Sequence, residues 1–292
     1  MKAKKIMGAV LAAMMLLGAA GCGSSEKKAA DSKPAAAGGS ITGSGSSALL
    51  PLMKDAAAKY KAKNKDVTIT LNAGGSGTGL KQVSDGSVDM GNSDVPAESK
   101  LPKDKAAKLK DHRICVMTVV PILNKDVKVK SLTKQQLADI FTAKITNWKQ
   151  VGGPDKPIIL VTRPKTSGTR ALFKKYAING VEEADNKSLE TDNSGVLLKS
   201  ASNAGAIGYV ALPYVIKDTT VEKLSIDGVA PTLENTYSGK YPVWGFEHVY
   251  TAQNEKPAVK AFLDYVLGEE YGKRIEELGY GVSSKMQTKE VH

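Results

Sequence analysis

Past residue 40 the chain alternates short apolar runs with longer stretches in which apolar positions recur every three or four residues. The runs predict strands over 67–72 (VTITLN), 88–91, 113–123 (RICVMTVVPIL), 157–162, 205–212 and 248–252. The periodic stretches predict helices over 48–63, 79–84, 103–109, 134–141, 170–178, 196–202, 257–267 and 270–278. This order predicts an α/β protein with mostly parallel sheets. Several ends carry their own chemistry. Thr133 and Gln136 have the spacing of a capping box, with Leu132 and Leu137 as its hydrophobic staple. Pro257 suits a first helical turn, and Gly279 suits a C-terminal stop.

Residues 1–21 depart from this pattern. Lys2, Lys4 and Lys5 precede an apolar run from Ile6 to Ala20, and small residues lead into Cys22. That is the basic region, apolar region and cleavage zone of an export signal. The run is shorter than the roughly 20 residues of a spanning helix. The stretch LLGAAGC resembles the lipobox of bacterial lipoproteins, in which the cysteine becomes the lipidated first residue of the mature chain. Residues 22–39 are small, polar and aperiodic, and read as a flexible tether. Cys115, the second of two cysteines, lies in an apolar run and reads as a buried core residue.

The formal charge of +11 raises the question of an anionic partner. Removing the leader takes away three lysines and leaves about +8. The rest are interleaved with acids, as in KDAAAKYKAKNKD, and read as solvated helix faces. Nucleic acid is therefore excluded as a partner.

Three segments repeat one design. ITGSGSSALLPL, LNAGGSGTGLKQV and LVTRPKTSGTRALF each run from strand through a glycine- and hydroxyl-rich loop into a helix. They place Ser46 and Ser47, Ser76 and Thr78, and Ser167 and Thr169 at helix starts, where backbone N–H groups lack intrahelical partners. One such loop is a capped helix; three, with Arg163 ahead of the last, point to a shared anion site. A P-loop is excluded, because Leu80 stands where its lysine is required. No G-x-S-x-G, HExxH or zinc-ligand spacing occurs, and only three histidines are present. Binding without catalysis is the expectation, with no metal and no cofactor.

These segments, with VDMGNSDVP, LADIFTAKITNWKQVGG, GAIGYV and LGYGVSS, occur in the order found in phosphate-binding proteins of bacterial high-affinity phosphate ABC importers. The chain resembles that family over roughly Ser40 to Ser284. The resemblance implies a type II periplasmic-binding-protein fold: two α/β domains, a two-stranded hinge and a ligand cleft between them. It places domain I at 41–120 and 244–292, and domain II at 121–243. It implies phosphate contacts from Ser46, Ser47 and Ala48 in the first loop, Ser76 in the second, Asp94 after VDMGNS, and Arg163, Ser167, Gly168 and Thr169 in the third. Two departures stand out. Lys165 and Thr166 replace an acid and a glycine common in the family, and Gly245 and Phe246 occupy positions where an Arg-Pro pair is common.

An acid in an anion site needs a reason. Inorganic phosphate near neutral pH still carries a proton, which Asp94 can accept; ionised sulfate has none to donate. Trp148 reads as a packing anchor. The implied partners are inorganic phosphate, a membrane permease and the membrane itself through Cys22, with the chain a monomer anchored on the outer face of the cell envelope. Two alternatives remain at this point. One is a binding protein for sulfate, molybdate or tungstate; the other, from a different class, is a surface lipoprotein in adhesion or signalling, or a cryptic phosphoryl-transfer enzyme.

Overall fold

The computed structural model describes residues 38–184 and 189–288. The leader, Cys22 and the tether as far as residue 37 lie outside the described residues. Ten strands and nine helices occur in the described chain. In order they are β1 (Gly39–Gly45), α1 (Leu50–Lys63), β2 (Val67–Ala73), α2 (Ser76–Ser84), β3 (Met90–Ser93), α3 (Lys103–Ala106) and β4 (Leu109–Asn124). There follow β5 (Ser131–Leu132), α4 (Lys134–Phe141), β6 (Ile159–Leu160), α5 (Gly168–Tyr176), α6 (Ser194–Ala201) and β7 (Ala206–Ala211). The chain continues through β8 (Val221–Lys223), β9 (Ser225–Ile226), α7 (Leu233–Tyr237), β10 (Trp244–Ala252), α8 (Pro257–Leu267) and α9 (Glu269–Gly272).

An eight-stranded sheet runs β2-β1-β3-β10-β4-β7-β6, with β8 also paired to β4. The sheet is mixed rather than mostly parallel. Strand β1 is parallel to β2 and β3, and β6 to β7, but β4 and β10 are antiparallel to each other and to their outer neighbours β7 and β3. The reason is the course of β4. Its first part pairs with β10 as far as Thr118, and from Val119 it pairs with β7. The chain then returns along β10 in the opposite sense.

Buried apolar residues pack on either part of this strand. Ile41, Leu52, Met53, Phe262 and Val266 join α1 and α8 to β1 and β10. Phe141, Trp148, Phe173 and Tyr209 form the largest cluster around α4, α5 and β7. Phe173 stacks on Tyr209 at 4.1 Å and 9°. Trp148 is fully buried and donates its indole N–H to Gly205 O at 2.9 Å, the anchoring role its sequence context predicted. Cys115 is buried and unpaired.

Helix α4 matches its predicted span, with both hydrogen bonds of the Thr133–Gln136 capping box. The helix predicted over 103–109 stops at Ala106, because Leu109 already pairs with Ala252 in the ladder. The helix predicted over 270–278 divides into α9 and a separate 3-10 turn over Glu276–Leu278, closed by Gly279 at φ 89°. Among the described residues, no helix is long and apolar enough to cross a membrane.

Candidate functional site

The parallel trio β1, β2 and β3 and the short strand β6 all lead toward one region. In such sheets, ligand sites lie beyond the carboxyl ends of strands, where the following helices begin. Strand β1 ends at Gly45, whose φ of 130° and 2.2 Å approach to Asn92 O by an added Cβ demand glycine. Ser46 follows. Its amide donates to Asn92 O, and its Oγ accepts the amides of Ala48 and Leu49, at 3.0 Å each. Ser46 Oγ and the Ala48 N–H thus pair with each other in a local serine turn at the start of the first loop.

Ser47 is 2% exposed and points elsewhere. Its Oγ lies 2.8 Å from Asp192 O, 2.9 Å from Ser194 Oγ and 3.0 Å from Arg163 Nη2. Tyr214 donates its hydroxyl to Ser47 O at 2.7 Å, and Tyr280 donates to Ala48 O at 2.5 Å, fixing the loop from two sides. Burial pushes the Tyr214 hydroxyl up to about 12, so it remains a donor at neutral pH.

Arg163 is 1% exposed. One Nη donates to Ser47 Oγ and to Asp192 O at 2.8 Å, and the other reaches Ser194 Oγ at 3.3 Å. Its Nε has no hydrogen-bond partner among the described residues. The planar fork thus joins the first loop to the start of α6. Arg170, on the first turn of α5, donates to Arg163 O and fixes its backbone.

A second cluster lies at the starts of α2 and α5. Asp94, 2% exposed, follows directly on β3. Its amide donates to Ser76 Oγ at 3.0 Å, and Thr169 Oγ1 donates to Asp94 Oδ2 at 2.7 Å. Asp94 Oδ1 is buried and accepts no hydrogen bond among the described residues. Ser167 caps α5 by accepting the Arg170 amide at 3.1 Å, leaving Gly168 and Thr169 as the first helical residues, whose N–H groups have no intrahelical acceptor. A Cβ on Gly168 would lie 2.3 Å from Ser76 Oγ and 2.8 Å from Asp94 Cβ. Only glycine permits this approach of α5 to α2.

The structure brings Ser47 together with Arg163, and Ser76 together with Asp94, Gly168 and Thr169, while Ser167 caps α5 and Ser46 pairs with Ala48 inside the first loop. Asp192 and Ser194 were not predicted, although TDNSGV has the same character as the other three loops. Asn193 caps its helix by accepting the Gly195 and Val196 amides. Tyr214 carried no local signal at all. Lys165 is exposed, and its carbonyl accepts from Lys100 Nζ at 2.8 Å. Thr166 O accepts the Gly77 amide at 2.9 Å, linking the second and third loops. At the other departure, Gly245 lies against Leu172, and Arg113 sits 4.1 Å above the Phe246 ring.

One buried cation, one buried carboxylate with a spare acceptor, several hydroxyls and the amides of a helix start suit a small, partly protonated oxyanion. Among the described residues, no group of three or more His, Cys, Asp or Glu side chains could hold a metal.

Comparison with known proteins agrees. The family model of the PBP superfamily domain matches residues 30–270. The phosphate-binding protein PstS of Bacillus subtilis (strain 168) is 45% identical over 281 residues, covering 94% of this chain and 92% of that protein. A protein from Clostridium perfringens, assigned as a phosphate ABC transporter substrate-binding protein and solved with bound phosphate, is 32% identical with a TM-score of 0.75. The match covers 84% of this chain and 99% of that one. An ABC-type phosphate transport receptor from Vibrio cholerae is 26% identical with a TM-score of 0.66, over 83% of this chain and 99% of that one.

Proposed function

The chain belongs to the PBP superfamily and, within it, to the PstS family of phosphate-binding proteins, and on that premise we propose that it captures inorganic phosphate outside the cytoplasm for an ABC permease. The observation that carries this reading is the juxtaposition of opposite charges. Arg163 supplies a buried cation for the anion, while Asp94, held through Oδ2 by Thr169, keeps Oδ1 as an acceptor for the proton that phosphate carries. Sulfate would meet the same carboxylate with no hydrogen to offer, and an unmatched buried charge is strongly disfavoured.

The ligand set is Ser47, Ser76, Asp94, Arg163, Ser167, Gly168 and Thr169, with Ser46 and Ala48 shaping the first loop. Residues 41–120 and 244–292 form one domain and 121–243 the other, with β4 and β10 as the two connections. The switch of β4 from β10 to β7 at Thr118 and Val119 supports that division. Ligand contacts from both sides would favour a closed state, which a permease can recognise. The protein acts by binding alone, as a monomer held at the envelope by lipid on Cys22.

The test is calorimetric titration of the full chain, freed of phosphate, with phosphate and then sulfate at one pH. Saturable one-to-one phosphate binding with little response to sulfate is expected. Preference for sulfate, molybdate or tungstate by the folded protein would reject the assignment.

A further inference from the structure

Glu247 is a fully buried acid on β10 that the site described above does not use. It stands opposite Cys115 of β4, and the next residue, His248, pairs with Ser93 of β3, immediately before Asp94. Neither Glu247 oxygen has a donor among the described residues, and Asp94 Oδ1 has none either. Because His248 pairs antiparallel with Ser93, Glu247 and Asp94 are the next residues across the same two chain segments. With both carboxyl groups ionised, no donor stands between them; a proton on one supplies it.

The surroundings favour the proton. The titratable groups facing Glu247 are Asp94 beyond β3, Cys115 on β4, Tyr280 near the C-terminus and Tyr214 beyond β7. The two tyrosine hydroxyls donate to Ala48 O and Ser47 O. Cys115 is buried, and burial pushes its thiol well up. The nearest histidine on the strand, His248, turns to Asp111 at 2.8 Å. Burial, reinforced by the Asp94 charge, holds the Glu247 carboxyl well above the usual carboxylate range.

We propose that Glu247 is a positioning residue of the phosphate site: as a neutral acid beneath Asp94 it donates to Oδ1, orienting the acceptor on which the ligand's proton rests. This rests on the reading of Asp94 as that acceptor. A carboxylate oxygen has two lone pairs, so one can take the Glu247 proton and the other the phosphate O–H. Ionisation of Glu247 would place a second negative charge beside an anionic ligand. Bound phosphate and the Glu247 proton therefore stabilise each other, and alkaline pH removes both.

The experiment is phosphate Kd against pH, from acid to alkaline, for the full-length wild type, E247Q, E247M and D94N, with sulfate competition throughout. Once Glu247 ionises in the free protein, wild-type affinity should fall by up to about tenfold per pH unit beyond the change due to phosphate's own titration. E247Q keeps a donor but cannot ionise, so that extra fall should vanish. E247M has no donor and should weaken phosphate binding by about tenfold or more at neutral pH. An E247Q profile parallel to wild type, or wild-type affinity in E247M, overturns the role of Glu247. If D94N also leaves affinity and sulfate rejection unchanged, the Asp94 assignment itself fails. Should the variants not fold, infrared spectra of the wild type decide: a protonated-acid carbonyl band that shifts on phosphate binding supports the proposal, and its absence at neutral pH overturns it.

Discussion

Thr169 Oγ1 donates to Asp94 Oδ2 at 2.7 Å, joining the start of α5 to the end of β3 across 75 residues of chain. The bond fixes which carboxylate oxygen remains to meet a ligand. Asp94→Asn replaces an acceptor by an amide that can also donate. The phosphate-over-sulfate preference should fall by about 100-fold or more, with a smaller loss of phosphate affinity. Competitive titration with sulfate measures both, and equal selectivity in the two proteins would sink the role of Asp94.

Arg163 makes three hydrogen bonds with two Nη atoms, a geometry that a single ammonium cannot reproduce. Arg163→Lys should therefore weaken phosphate binding by about 2 kcal/mol or more although the charge is kept. Calorimetry at fixed ionic strength tests this; affinity within experimental error of wild type would contradict it.

Glycine at 168 is required by contact rather than by backbone angle. A Cβ there would overlap Ser76 Oγ and crowd Asp94, whereas one on Gly272 would meet nothing within 4 Å. Gly168→Ala should lower phosphate affinity by about tenfold or more, since a displacement near 1 Å is enough to disrupt a built site. Gly272→Ala is the control, expected to match wild type in affinity and to change stability by no more than about 1 kcal/mol. Equal behaviour of the two variants would refute the packing argument.

Ser46 and Ser47 are neighbours with different duties. Ser46→Ala removes the acceptor of two amides and should cost about 1 kcal/mol of stability. Ser47→Ala removes the hydroxyl that meets Arg163 and should cost affinity more than stability. Denaturant midpoints and phosphate Kd, measured on both, should rank the variants in opposite order.

Glu183 gives stability a pH dependence of its own. It accepts from Tyr209 OH at 2.7 Å, and burial pushes it up to about 7 despite the opposing charge of Arg170. The folded chain therefore holds this proton more tightly than the unfolded chain. Its contribution is full below the ordinary carboxylate range and is lost as pH rises through about 7. The loss is at most on the order of 3 kcal/mol. Urea midpoints across that window should fall less steeply in Glu183→Gln; identical slopes would exclude the effect.

Much of this protein was legible because its signals are local. A capping box needs only four residues, so α4 was found with both ends correct. Glycine and hydroxyl residues at a strand-to-helix turn announce exposed amides, so the three loops and Arg163 were visible, as was Asp94 through the family pattern. The α/β class followed from periodicity alone.

Tertiary structure decided what depends on distant partners. The antiparallel course of β4 and β10, the early end of α3 and the division of the last predicted helix follow from ladder pairing and packing, which outweigh local propensity. Asp192 and Ser194 meet Arg163, and Tyr214 meets Ser47, only because the fold closes on them. Glu247 carries no local signal in sequence; burial and the nearby Asp94 charge push its carboxyl well above the usual carboxylate range. The sequence by itself determined which groups could bind an anion, because those groups are set by residue type and short spacing. Which oxygen faces which donor, and which acid is pushed above its ordinary range, was decided by burial and approach, which exist only once the chain is folded.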